Sequence, residues 1–189
     1  MDLSFSEHGL LPPGTHRLTL EELKESILVT GGFQKPDGWD AYWRYQLVEG
    51  LEVMVRQLWE VGYEKIFIDG SFVENKPHPN DIDGYFECPV IDFVKRGQDT
   101  LNEIEPIWTW NWRERKPHPD SPHKPQLPMW HKYRVELYPH YTDIPNDLYG
   151  FFSNRTGLRD PEGKELPFPD AFRLQRGTYR EKGIVQIIR

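Results

Sequence analysis

Between Lys65 and Glu87 the sequence passes from a short apolar run, Ile66 to Ile68, into Asp69-Gly70-Ser71. It then crosses a polar loop holding Pro77 and Pro79 and re-enters an alternating segment at Asp81. No other stretch limits the fold as much. The apolar run has the length and composition of a strand. The prolines bar regular structure between the two segments. Side chains two apart on a strand share a face, so Asp81 and Asp83 are expected to project together while Ile82 turns inward. Two adjacent carboxylates repel unless something positive lies between them. A divalent cation such as Mg²⁺, which combines a few carboxylate oxygens with phosphate and water, would neutralise them. Gly70 allows close approach of backbone to a ligand, and Ser71 supplies a hydroxyl and an N–H.

The segments around this stretch predict helices and further strands. Thr19-Leu-Glu-Glu22 fits a capping box and starts a helix expected to reach about Leu28. Leu47, Leu51, Met54, Leu58 and Val61 recur at spacings of three and four, the stripe of an amphipathic helix, with Asp40 as its cap and Gly62 as its stop. This helix leads directly into the Lys65 strand. Ile91, Val94, Leu101 and Ile104 permit another helix before Pro106, and the alternation of Trp108 to Trp112 suits a strand with one aromatic face. Residues 113–131, basic and proline-rich, read as a long surface insertion. Lys132 to Tyr138 reads as a strand with Arg134 and Glu136 on one face. A short helix is expected over 143–153, with Leu148, Phe151 and Phe152 on its buried side, and a terminal strand over 184–188. Residues 1–18 read as an irregular arm. Strands interleaved with helices predict an α/β or α+β domain spanning 1–189.

Composition narrows the function classes. The net charge of −7 provides no global basic field, so sequence-specific duplex DNA is not an expected partner. The single cysteine, Cys88, excludes an internal disulfide framework and fits a reducing compartment. The opening Met1-Asp-Leu-Ser has no basic n-region, and no apolar run approaches membrane-spanning length, so the expected setting is the cytoplasm. Seven Trp, nine Tyr and ten Phe form an aromatic-rich set, of which some are expected to pack the core and others are candidates to line a groove for a base or a partner. His118, His123, His131 and His140 lack the short regular spacing of a zinc site and read as loop residues.

Gly70-Ser71, a nine-residue spacer and Asp81-Ile82-Asp83 together resemble the signature of the DNA polymerase beta-like nucleotidyltransferase superfamily. The whole chain also looks like small bacterial and phage proteins of that superfamily, through Leu10 to His16, Ile68 to Val73 and Lys182 to Val185. The resemblance implies a short mixed β-sheet with helices packed on one face. It implies that Gly70 and Ser71 receive the triphosphate of a nucleotide such as ATP, and that Asp81 and Asp83 bind Mg²⁺ or Mn²⁺. It also implies a third acidic residue on a later strand. Glu136 is the candidate that sits within a short apolar strand, and it is a candidate general base as well. Lys76 and Arg134 either reach phosphate or offset the carboxylates, and Asp69 either caps the turn at Gly70 or orients the site from behind. Two functions follow. One is a metal-dependent nucleotidyltransferase acting on a protein, tRNA or small-molecule acceptor. The other is an inactive protein of the same fold that binds a partner, for example in a toxin–antitoxin or phage-defence system.

Overall fold

The computed structural model describes residues 3–33, 35–144, 155–167 and 169–189. In chain order, strand β1 (Gly14–Leu18) leads to helices α1 (Leu20–Glu25), α2 (Ile27–Thr30) and α3 (Ala41–Glu60). Strand β2 (Ile66–Asp69), a 3₁₀ turn (Gly70–Val73) and β3 (Ile82–Cys88) follow. A helical run then comprises α4 (Val90–Asp92), a π turn (Phe93–Gly97) and α5 (Gln98–Ile104). Hairpin β4 (Lys116–His118) and β5 (Ser121–Gln126), helix α6 (Pro128–Tyr133) and strand β6 (Val135–Tyr141) come next. Hairpin β7 (Arg155–Arg159) and β8 (Glu165–Pro167), a 3₁₀ turn (Asp170–Arg173) and β9 (Gly183–Ile187) complete the order.

Five strands form one mixed sheet in the order β1-β9-β2-β3-β6. The outer pairs β1–β9 and β3–β6 are parallel, and the inner pairs are antiparallel. The sheet has two unlike faces, and strand alternation assigns the residues to them. Ile66, Ile68, Ile82, Phe86, Val135, Leu137, Val185 and Ile187 face a large core shared with α1, α2, α3, α5 and α6. The opposite face carries a small cluster, Phe67, Tyr85 and Ile184, against Phe172. The expected class, a mixed sheet with helices on one face, is what the chain forms.

Local chemistry accounts for most of the helical layer. Thr19 accepts from Glu22 N–H while the Glu22 carboxylate accepts from Thr19 N–H, the reciprocal pair of a capping box. The helix expected to run to Leu28 breaks at Ser26. Its Oγ donates to Leu23 O and accepts from Leu28 N–H, ending α1 and starting α2. Asp40 accepts from Trp43 N–H at 2.9 Å, and Leu47, Leu51, Met54 and Leu58 are buried as their spacing predicts. Gly62 follows α3 at φ +91°, the left-handed geometry for which a stop glycine is suited.

Several expectations are corrected. The arm over 1–18 contains an edge strand, because Gly14–Leu18 pairs with β9 far along the chain. In the 89–105 helix Phe93 and Leu101 are buried, but Ile91 and Val94 are exposed at 44% and 56%. The π turn adds a residue to one helical turn and rotates the stripe. Trp108 to Trp112 forms no strand. Trp110 is buried with its indole on Gln57, Trp112 donates to Leu137 O, and Trp108 is 62% exposed at φ +52°. The stretch over 113–131 is not a loose loop, since it holds the β4–β5 hairpin and most of α6, with Leu127, Met129 and Trp130 buried. Arg134 is not on a strand with Glu136. It ends α6 in the left-handed region, and the strand begins at Val135. The helix expected over 143–153 falls, beyond its first two residues, outside the described residues. No helix among the described residues is long and apolar enough to cross a membrane.

Candidate functional site

The sheet register brings the acidic residues together. Asp69 on β2 pairs with Asp83 on β3, and Asp83 pairs with Glu136 on β6. All three lie on the thin face of the sheet, one beside another across three strands spaced about 4.8 Å apart. Asp81 stands just before β3, two residues from Asp83 and on the same side. Like charges directly opposite on neighbouring strands are destabilising.

The two ends of this row are compensated. At one end Lys182 is buried, 3.1 Å from Asp69 Oδ1 and 2.7 Å from Glu74 Oε1, and it donates to Gly70 O. Among the described residues no well-aligned hydrogen bond reaches Asp69 Oδ1. Burial pushes the Asp69 carboxyl up to about 7, against the pull of Lys182 and of Gly70 N–H. At the other end Glu136 Oε1 accepts from Leu127 N–H at 2.9 Å and lies 3.6 Å from Arg115 Nη1. Glu136 Oε2 accepts from the Tyr138 hydroxyl at 2.5 Å. Burial and the neighbouring Glu136 charge raise the Tyr138 hydroxyl.

The middle is not compensated. Asp83 is partly exposed but closely surrounded by protein, and among the described residues no donor reaches its carboxylate. Burial pushes its carboxyl up to about 8, with Asp81, Glu136 and Asp69 adding to the rise and Lys182 opposing it. Burial also raises Asp81, with Glu136 adding, while the Trp130 N–H, Lys76 and Arg134 pull it down. Trp130 Nε1 donates to Asp81 Oδ2 at 2.8 Å, and Oδ1 has no donor among the described residues.

Gly70 closes against this group. It adopts φ +72°, and a Cβ there would lie 2.5 Å from Asp83 Oδ2. The two halves of the sequence motif therefore touch across the polar loop. Arg44 secures that loop. Its buried guanidinium donates to Leu28 O, Phe72 O, Glu74 O and Lys76 O and lies 4.0 Å from the Trp39 ring centroid. Lys76 is exposed, and Arg134 is partly exposed with its guanidinium 3.9 Å from the Trp130 ring centroid.

The chain belongs to DUF6932. This family is described as one of unknown function, and its model matches residues 3–188. No curated protein and no solved structure matches the chain significantly. Family membership thus fixes kinship without assigning chemistry.

Asp81 and Asp83 fit a hard divalent cation. They are neighbouring carboxylates with oxygens that no donor among the described residues reaches, and Mg²⁺ is commonly held by one or two carboxylates plus substrate phosphate and water. Glu136 shares their face, but both its oxygens are engaged by the protein. Among the described residues no three His, Cys, Asp or Glu side chains surround a common point as a closed metal cage. Sequence reasoning placed Asp81, Asp83, Glu136, Gly70 and Ser71 in one region. It did not find Lys182, Trp130, Tyr138 or Arg115. For Lys182 the available signal was a basic residue in a match to relatives, and for Trp130 there was none.

Proposed function

We propose that the protein is a metal-dependent nucleotidyltransferase, transferring a nucleoside monophosphate from a triphosphate such as ATP to a hydroxyl on a protein, tRNA or small-molecule acceptor. The observation that carries this reading is the contact between Gly70 and Asp83. It joins the glycine turn to a carboxylate pair in which Asp81 has one donor and Asp83 has none among the described residues. Asp81 and Asp83 would hold Mg²⁺ or Mn²⁺, which supplies a Lewis acid to the transferred phosphoryl group and neutralises its charge. Gly70, lacking a Cβ, lets the Asp83 carboxylate close on the turn, and the Ser71 N–H and hydroxyl that follow bind the phosphate. Lys76 and Arg134 supply positive charge at the Asp81 side. Glu136, held by Leu127 and Tyr138, fixes the far edge of the site. The acceptor oxygen forms a bond to the α-phosphorus as the bond to the pyrophosphate oxygen breaks; the hydroxyl proton passes to solvent water and pyrophosphate leaves.

Full engagement of Glu136 favours a second reading, a partner-binding protein that keeps the fold without transfer. Incubation with α-labelled triphosphates, Mg²⁺ and host lysate separates the two. The first reading expects label on an acceptor, lost in Asp83→Asn. Absence of label together with no thermal stabilisation by Mg²⁺ and nucleotide at millimolar concentration supports the second.

A further inference from the structure

We propose that Trp130 is a positioning residue for the metal-binding carboxylates, with its indole N–H holding Asp81 Oδ2 so that Oδ1 stays available to the cation. The inference rests on the reading of Asp81 and Asp83 as cation ligands. Trp130 belongs to α6, within a stretch that reads from sequence as a surface insertion, yet it is 1% exposed. Its ring is fixed from several sides. Arg134 lies 3.9 Å from the ring centroid, His118 stands at 4.7 Å between centroids, and His131 meets it edge-on at 5.2 Å. An indole in such a setting cannot swing, so its N–H is a fixed point. The same short helix delivers a second donor, since the residue before it, Leu127, gives its N–H to Glu136 Oε1. Helix α6 and its capping residue thus grip two carboxylates, Glu136 on β6 and Asp81 just before β3. A core tryptophan needs only some partner for its N–H. Here that partner is a site carboxylate, whereas Trp43, Trp112 and Trp39 donate to the backbone carbonyls of Pro79, Leu137 and Val29.

An outer group that orients a metal ligand shifts metal affinity without contacting the metal, typically by about 10–100-fold. Two measurements on the full chain test the assignment. In the first, Mg²⁺ is titrated into the ¹⁵N-labelled wild-type protein and the indole N–H resonances are followed, that of Trp130 being assigned through its proximity to Arg134 and His118. The Trp130 resonance should shift with saturation, while those of Trp43, Trp112 and Trp39 should not. In the second, Mn²⁺ affinity is measured in Trp130→Phe, which keeps a ring beside Arg134 but removes the donor. Affinity should fall about tenfold, with cooperative melting retained. Wild-type affinity in a folded Trp130→Phe overturns the proposal. A Trp130 resonance that stays still while the Asp81 and Asp83 amides shift also overturns it, even if the variant does not fold. A wild-type protein that binds neither cation overturns the metal reading itself, and the proposal with it.

Discussion

Replacing Asp83 by Asn should stabilise the metal-free protein, and the gain should depend on pH. Asp83 lies between Asp69 and Glu136 across the sheet, beside Asp81, with no donor among the described residues. Burial and these neighbours raise its carboxyl from an ordinary 3.8 to about 8. Below about pH 4 the group is protonated both folded and unfolded, and Asp and Asn differ little. Between pH 4 and 8 the unfolded chain releases the proton that the folded chain retains. The native state therefore loses stability as pH rises through this window, and above pH 8 the loss is complete. Each tenfold in proton affinity is worth about 1.4 kcal/mol, so an unscreened rise of this size amounts to roughly 5–6 kcal/mol. Asp83 is partly exposed, and solvent screening reduces its share to about 2–3 kcal/mol. At roughly 2–4 °C per kcal/mol, Asp83→Asn should melt about 5–10 °C above wild type at pH 9 in chelator and within a degree or two of it near pH 4. Millimolar Mg²⁺ should raise the wild-type melting temperature at pH 8 and leave the variant unmoved. Calorimetry across pH, with and without Mg²⁺, measures both effects. A variant no more stable than wild type at pH 9, or a gap that does not change with pH, would refute this account of Asp83.

Three further outcomes follow from the same contacts. Lys182→Met leaves the buried Asp69 and the partly buried Glu74 without their shared cation and should cost about 3–5 kcal/mol in denaturant unfolding, part of it recovered by adding Asp69→Asn. Gly70→Ala forces a Cβ into the left-handed region at about 1–2 kcal/mol and against Asp83 Oδ2, so melting should fall and the Mg²⁺ response should vanish. Replacing residues 113–131 by a glycine-serine link removes the buried Leu127, Met129 and Trp130 and should abolish cooperative melting by circular dichroism, whereas a retained transition would mean that α6 is dispensable.

The parts legible in the sequence are those set by neighbours a few residues away. The α3 stripe, its Asp40 cap and its Gly62 stop are local patterns, as are the β2 and β3 segments and the Gly70 turn. Those set by distant partners were not legible. Gly14–Leu18 lacks a clean alternation and becomes a strand because β9 offers it an edge. Trp110 leaves the aromatic alternation because Gln57, on α3, receives its indole. Arg134 leaves the strand because α6 ends on it in a left-handed turn. The face shared by Asp83 and Glu136 follows from a parallel register that neither segment encodes alone. Asp69 was ambiguous for the same reason. Its place at one end of an acidic row depends on β2 pairing with β3, and its counter-charge comes from Lys182, near the far end of the sequence.

The row itself bears on the choice between the two functions. A sheet face with acids side by side on three strands is costly, and the protein offsets that cost unevenly. Lys182 neutralises the Asp69 end, while Leu127, Tyr138 and Arg115 satisfy the Glu136 end. Asp81 receives one donor, and Asp83 receives none among the described residues. Folding alone gives no reason for this distribution, because Asn at position 83 would preserve the shape and remove the repulsion. A titratable group held far from its ordinary proton affinity in a partly open site is the pattern expected where charge is used. Partner binding through the outer surface makes no demand on Asp83, whereas cation binding needs a carboxylate that the protein has left unsatisfied. Should Asp83→Asn prove more stable and at the same time lose its response to Mg²⁺, the acid serves the cation at the expense of the fold. Should it prove more stable while wild type never responds to Mg²⁺, the transfer reading loses its physical basis.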